Sequence, residues 1–258
     1  MKVRVLDRAE EQIRFVLSDT PVPIANALRR VMISEVPTMA IEELQVEENT
    51  SIMQNEFLAH RMSLLPIRCK ETVKQAQFQM DVACSGEEGA ARDVLARDLV
   101  SLTDGVEICH PDALLAKLCR GQVLRFQATA EWGTGSQHAK WSPVCTATYR
   151  FIAEIPPEDQ DSDDEEDEVL RAIQLEDQAY CEEDLGQDPS ACHVTMKHRP
   201  NAYLFTVETK GSLAPHEIVQ QAFRVLQSKL DHLHASIHDL PKLPRTPPGT
   251  PPMAAVDD

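Results

Sequence analysis

The chain has 258 residues, 42% of them hydrophobic and 26% charged, which leaves room for one or two globular cores. Its net charge of −17 and pI near 4.9 exclude a protein that grips nucleic acid with its own surface, because phosphate binding needs clustered lysine and arginine. No apolar run reaches bilayer length, and Met1-Lys2-Val3-Arg4-Val5 reads as a strand rather than a secretory leader, so a soluble cytosolic or nuclear protein without a membrane partner is expected.

Seven cysteines are scattered along the chain, with no C-x-x-C pair. That pattern supports neither a disulfide framework nor a zinc ribbon. The thiols are expected to be reduced, several of them as small core residues.

The first two predicted elements form a hairpin. Val3 and Val5 alternate with Lys2 and Arg4, and Ile13, Phe15 and Leu17 alternate across the polar stretch Asp7–Glu11. A helix follows. Thr20 is its candidate cap, with Pro21 and Pro23 in the first turn. Ile24, Ala27, Leu28, Val31 and Met32 match one helical face, leaving Asn26, Arg29 and Arg30 off it. Pro37 ends the helix. A strand is predicted over Glu42–Glu48, and a short helix over Asn55–Leu65 groups Phe57, Leu58, Arg61, Met62 and Leu65.

From Ala76 to Trp141 the pattern is mostly β. Ala76, Phe78, Met80 and Val82 alternate, as do Leu114, Ala116 and Leu118. Leu124, Phe126, Ala128, Ala130 and Trp132 alternate after the turn at Arg120–Gln122, and Cys145, Ala147, Tyr149 and Phe151 alternate later. An antiparallel sheet with one solvated face accounts for this spacing. Between Glu158 and Glu168 only Gln160 and Ser162 are not acidic. Such a block repels itself and cannot bury a core, so it is expected to be a linker. Tyr203, Phe205 and Val207 form a last strand. Pro215 then opens a helix on which Val219, Phe223, Leu226, Leu230, Leu233, Ile237 and Leu240 step by four and three. The tail past Pro241 is Pro-rich and carries Thr246-Pro247 and Thr250-Pro251.

That heptad-like seam is the strongest physical clue. Periodicity alone leaves two readings equal: packing on the chain's own sheet, or packing on a partner helix. The two terminal pieces favour a partner. Neither is large enough to stand alone, and together they make a small sheet with two helices and an exposed side.

Chemistry is sparse. Cys109-His110 is the only adjacent Cys/His pair, and a thiolate–imidazole nucleophile needs convergent side chains, which neighbours on a strand do not provide. There is no G-x-S-x-G, H-E-x-x-H or Gly-rich phosphate loop. Arg29 and Arg30 read either as a solvated helix face or as an interface anchor. Ser162 stands in an acidophilic phosphorylation context, but a solubilising tether explains the same block.

Asn26-Ala27-Leu28-Arg29-Arg30-Val31-Met32-Ile33-Ser34-Glu35-Val36-Pro37-Thr38-Met39-Ala40-Ile41 resembles the signature helix and following strand of the alpha-like subunits of multisubunit RNA polymerase. Further blocks fall in family order: Glu56–Arg61, Leu64–Ile67, Arg97-Asp98-Leu99, His138–Pro143 and Phe205–Leu213. Glu56-Phe57 and His138–Pro143 look most like the third-largest subunit of eukaryotic RNA polymerase II.

The resemblance implies an α+β fold. A discontinuous dimerisation domain, a small sheet with two helices, spans residues 1–38 and 200–240. A mainly antiparallel β domain is inserted at 39–157, followed by the acidic linker and a weakly patterned segment at 158–199 and a disordered tail at 241–258. It implies a non-catalytic nuclear (or, in a virus, virion or host-cell) assembly subunit that heterodimerises with the smaller alpha-like subunit. The two large subunits and small assembly subunits join later, and DNA is met only through the complex. On that reading Val219, Phe223, Leu226, Leu230 and Leu233 face the smaller partner, and Asn26, Arg29 and Arg30 lie near the large subunits. Relatives often hold a metal in a four-cysteine cluster. Here Arg68–Gln75 contains only Cys69, so neither metal nor cofactor is expected. The competing reading is an acidic adaptor or histone-chaperone-like protein working through Glu158–Glu168.

Overall fold

The computed structural model describes residues 1–85, 91–153, 171, 173 and 198–238. The acidic block, Ser162, Cys181, Cys192, Leu240 and the Pro-rich tail lie outside the described residues.

Two four-stranded antiparallel sheets carry the molecule. The first contains β1 (Lys2–Arg8), β2 (Gln12–Ser18), β12 (His198–Thr209) and β11 (Val144–Ala153), in that spatial order. Helix α1 (Val22–Ser34) and the C-terminal helix α3 (Pro215–His238) cover one face of it. The second sheet has the order β3 (Pro37–Asn49), β10 (Val123–Thr134), β5 (Gln75–Ala83) and β7 (Val100–Ser101). Helix α2 (Asn55–Ser63) joins its core, and the short pairs β4 (Ile67–Cys69) with β8 (Val106–Ile108) and β6 (Arg92–Leu95) with β9 (Leu114–Leu118) complete this half. The fold is thus α+β, with a β region inserted between α1 and β11.

Aromatic side chains hold the first sheet to its helices. Register places Phe15, Phe205 and Tyr149 in one cross-strand row and Leu17, Tyr203 and Phe151 in the next. Phe15 stacks on Phe205 with centroids 5.0 Å apart, and Tyr149 meets Tyr203 edge-on at 5.5 Å. Such pairs add to the burial of their area. Above them α1 contributes Ala25, Leu28, Val31 and Met32, and α3 contributes Ile218, Val219 and Ala222.

The second core follows alternation directly. Along β5, Ala76, Phe78, Met80 and Val82 are buried and every intervening residue is exposed. Leu124, Phe126, Ala128 and Ala130 meet them from β10. Leu58 and Met62 of α2 close the end.

Several expectations need correction. Strand β11, expected within the insert, pairs with β12 in the first sheet. Its alternation suited either sheet, and only pairing decides between them. Val3 and Val5 are exposed although register sets them beside Leu17 and Phe15, because β1 is an edge strand beyond the cover of the helices. Ile24 of α1 is 46% exposed and Ala25 is buried instead. Pro21, not Thr20, occupies the N-cap position of α1, with no side-chain cap bond, and Thr20 Oγ1 donates to Ser18 O at 3.1 Å. In β9 both Leu115 and Ala116 are buried and Leu114 is exposed, since the pairing with β6 runs from Val94↔Ala116 to Leu95↔Leu114 and skips Leu115, which breaks the two-residue period. Phe57 is exposed on α2. Of the described cysteines only Cys84 is fully buried.

Candidate partner interface

Helix α3 has two unlike halves. Pro215, Ile218, Val219 and Ala222 are buried, and Phe223, Val225 and Leu226 are half-buried against the same core. From Gln227 to His238 every residue is exposed. On this bare half, Leu230, Leu233 and Ile237 are 64%, 55% and 57% exposed and continue the stripe begun by Phe223 and Leu226. A helix of 24 residues is about 36 Å long. Its free turns add apolar area to water and gain little from propensity alone, since most helical stability comes from packing.

The five seam residues therefore divide. Val219, 8% exposed, is committed to the chain's own core. Phe223 and Leu226 straddle the boundary. Leu230 and Leu233 reach nothing that buries them. Near the boundary, Lys229 Nζ donates to Glu35 Oε1 at 2.6 Å, tying α3 to the residue that ends α1. Both partners are partly solvated, so the pair fixes direction more than it stabilises.

Asn26, Arg29 and Arg30 sit on α1 as one short cluster. Arg29 donates through Nε and Nη2 to Asn26 Oδ1 at 3.2 and 3.0 Å, one helical turn back. This bond holds the guanidinium along the helix rather than free in solvent. Arg30 is exposed, and its carbonyl accepts from Ser34 Oγ at 2.7 Å.

A second group joins the two halves of the molecule. The turn after β10 folds Trp141 onto Gly133. A Cβ on Gly133 would lie 2.4 Å from the indole, and one on Gly135 would lie 2.3 Å from Ile33 O. Only glycine permits these approaches. Trp141 Nε1 donates to Glu131 O at 3.0 Å, Thr38 Oγ1 donates to Trp141 O at 2.6 Å, and Ser136 N donates to Ser34 O at 2.7 Å. Lys140 pairs with Glu42, donates to Ile41 O at 3.0 Å and lies 4.2 Å from the Trp141 ring centroid. The end of α1, the start of β3 and the 133–143 turn are thereby locked together. The only sequence signal for this contact was the His138–Pro143 block.

Cys109 and His110 follow β8 rather than lying in it, and both approach Gly211. His110 Nε2 is 3.0 Å from Lys210 O. Burial pushes the Cys109 thiol up, and burial with Cys109 nearby pushes Cys69 up to about 11. Both changes disfavour the thiolate that nucleophilic attack requires. At pH 8 Cys69 is then about one part in a thousand ionised. Alkylation at that pH is expected to modify the exposed Cys119 and Cys145 first and leave Cys69 intact, with Cys69 labelling rising tenfold per pH unit. Peptide mapping after iodoacetamide checks this, and early labelling of Cys69 would contradict the buried setting. Among the described residues no group of three or more His, Cys, Asp and Glu stands where it could hold a metal ion. Among them, too, no helix is long and apolar enough to cross a membrane.

Comparison with known proteins adds a family. Residues 14–230 match the RNA polymerase Rpb3/Rpb11 dimerisation domain. The chain is 29% identical over 285 residues to DNA-directed RNA polymerase II subunit rpb3 of Dictyostelium discoideum, covering 92% of this chain and 94% of that one. It is 30% identical over 284 residues to the polymerases I and III subunit rpac1 of the same organism, covering 93% and 82%. It is 32% identical over 263 residues to subunit Rpo3 of Thermococcus kodakarensis, covering 93% and 99%.

Proposed function

This chain belongs to the alpha-like RNA polymerase subunits that share the Rpb3/Rpb11 dimerisation domain, and from that premise we propose that it pairs through α3 with a smaller alpha-like subunit inside RNA polymerase II. It is a non-catalytic component of DNA-directed RNA polymerase. One observation carries the pairing: the second half of α3 presents Leu230, Leu233 and Ile237 to solvent in register with a stripe already buried at its other end. A partner helix in that seam, contacting Phe223, Leu226, Leu230 and Leu233 with Val219 behind them, completes the core.

Residues 1–38 and 200–240, joined by β11, form the pairing domain in this reading, and 39–143 carries the inserted β domain. The cluster of Asn26, Arg29 and Arg30 then contacts the large subunits. Arg30 is exposed, and Arg29 is held in place by Asn26, so both offer planar forks for carboxylates or carbonyls. The charge of −17 leaves DNA to those subunits. Glu56-Phe57 and His138–Pro143 support polymerase II and a nuclear location over polymerases I and III.

Co-expression with a small alpha-like subunit tests the pairing. The two chains are expected to co-purify as a one-to-one complex. A monodisperse monomer that ignores the partner overturns the reading. Purification from cells decides the enzyme: recovery of the large subunits of polymerase I or III in place of those of polymerase II would reject the finer assignment.

A further inference from the structure

We propose that the acidic block Glu158–Glu168 docks within its own chain, on the arginine-bearing outer face of the first sheet. That face lies opposite the one covered by α1 and α3. Strand register sets Arg4, Val16, Leu204 and Arg150 in one row across all four strands, and Arg14 lies two residues from Val16 on the same side. All three arginines are half-buried, on a face whose apolar floor is Val16, Ile152 and Leu204. None of the three stands without a partner, and neither do Arg171 and Arg199.

A basic face is unexpected on a chain of charge −17. Arginine keeps its charge when partly buried, so these positions call for anions. Among the described residues, the four strands set only Asp7, opposite Arg14, and Glu208 on that side. Glu208 already accepts from Gln12 Nε2 at 3.0 Å.

Chain connectivity brings the anions. Glu158 stands five residues after Ala153, where the edge strand β11 ends. Five extended residues reach about 18 Å, and β1 lies about 14 Å across the sheet from β11. Glu168 stands five residues before Ile173, and Ile173 is buried among Val16, Ile152, Ala202 and Leu204. The chain therefore leaves this sheet just before the block and is back on its arginine face just after it. Nine of the block's eleven residues are acidic. A segment tethered so closely at both ends faces the arginines at a local concentration of order millimolar or above. A free polyanion such as nucleic acid has to displace it and approach a chain that repels it overall.

Digestion of the full chain with glutamyl endopeptidase tests the docking. Cleavage after Glu158, Glu165, Glu166 and Glu168 is expected to be about tenfold slower in low salt than in high salt, because salt screens the contact. Combining Arg4→Gln, Arg14→Gln and Arg150→Gln is expected to remove that protection and give the fast rate in both salts. Equal rates for wild type and the triple variant in low salt overturn the proposal. A second variant leaves the sheet untouched: the nine carboxylates of the block are changed to Asn or Gln. In low salt its vacated face is expected to bind a synthetic peptide of residues 158–168, read by fluorescence anisotropy, about tenfold more tightly than the wild-type chain does. No gain in peptide binding also overturns the proposal. So does a neutralised chain that takes single-stranded DNA but not the peptide, since the face would then belong to nucleic acid.

Discussion

Changing Leu230 and Leu233 together to Asp will abolish pairing with the smaller subunit and leave the chain itself folded. Both side chains are exposed in the free chain, so no internal contact is lost. In the complex each leucine removes about 1.5–3 kcal/mol of apolar burial. The pair therefore accounts for about 3–6 kcal/mol, or two to four orders of magnitude in Kd. Two carboxylates forced into the seam add a desolvation cost. Size-exclusion chromatography with light scattering reads the complex, and urea unfolding reads the chain. Wild-type pairing by the double variant would remove α3 as the interface. Phe223 and Leu226 are poorer probes. Both are half-buried against Val219 and Ala222 of the same core, so an Asp there damages the chain before it reaches a partner.

The second large effect lies at the junction of the two sheets. Trp141→Ala is expected to destabilise the protein by about 3–5 kcal/mol, the range for deleting a buried aromatic. Gly133→Ala is expected to cost about 1–3 kcal/mol, because its methyl group would enter the indole. These losses are not additive. Once Trp141 is alanine, the space beside Gly133 is open, and the second substitution should cost little more. A double-mutant cycle in urea measures the coupling. Additive losses would show that Trp141 does not press on Gly133. Gly135→Ala is a control of a different kind. Its methyl group would meet the backbone at Ile33 O, so removing the indole should not rescue it.

The fold was legible wherever burial on one face imposed a period. β5 alternates without a break, and the pattern Phe78, Met80, Val82 is visible in the chain as written. Helices α1 and α3 also announce themselves, though the edge of each stripe does not. Ile24 and Ala25 are both apolar, and only the packing of α1 on its sheet decides that Ala25 is the buried one. Bulges escape such reading entirely. The register shift opposite β9 buries two successive residues, Leu115 and Ala116, and nothing local distinguishes them from Leu114. Strand partners escape it too. β11 follows the insert in sequence and joins the outer sheet in space, since hydrogen-bond pairing is a long-range choice.

The candidate site divides in the same way. Periodicity alone identified the α3 seam but left open whether it turned inward or outward. That question has no local answer, because an apolar stripe has the same spacing against a sheet or a partner. The tertiary structure decides it turn by turn: the first half spends its stripe on Phe15, Phe205 and Met32, and the second half runs past the edge of that core. Composition by itself determined the strongly acidic balance, because a charge of −17 is a property of the whole molecule and needs no fold. What only the fold decided is which leucines remain free, and that Trp141, Gly133 and Ser136 lock the insert to α1. Contacts of that kind depend on distances between residues far apart in the chain, and no local pattern encodes them.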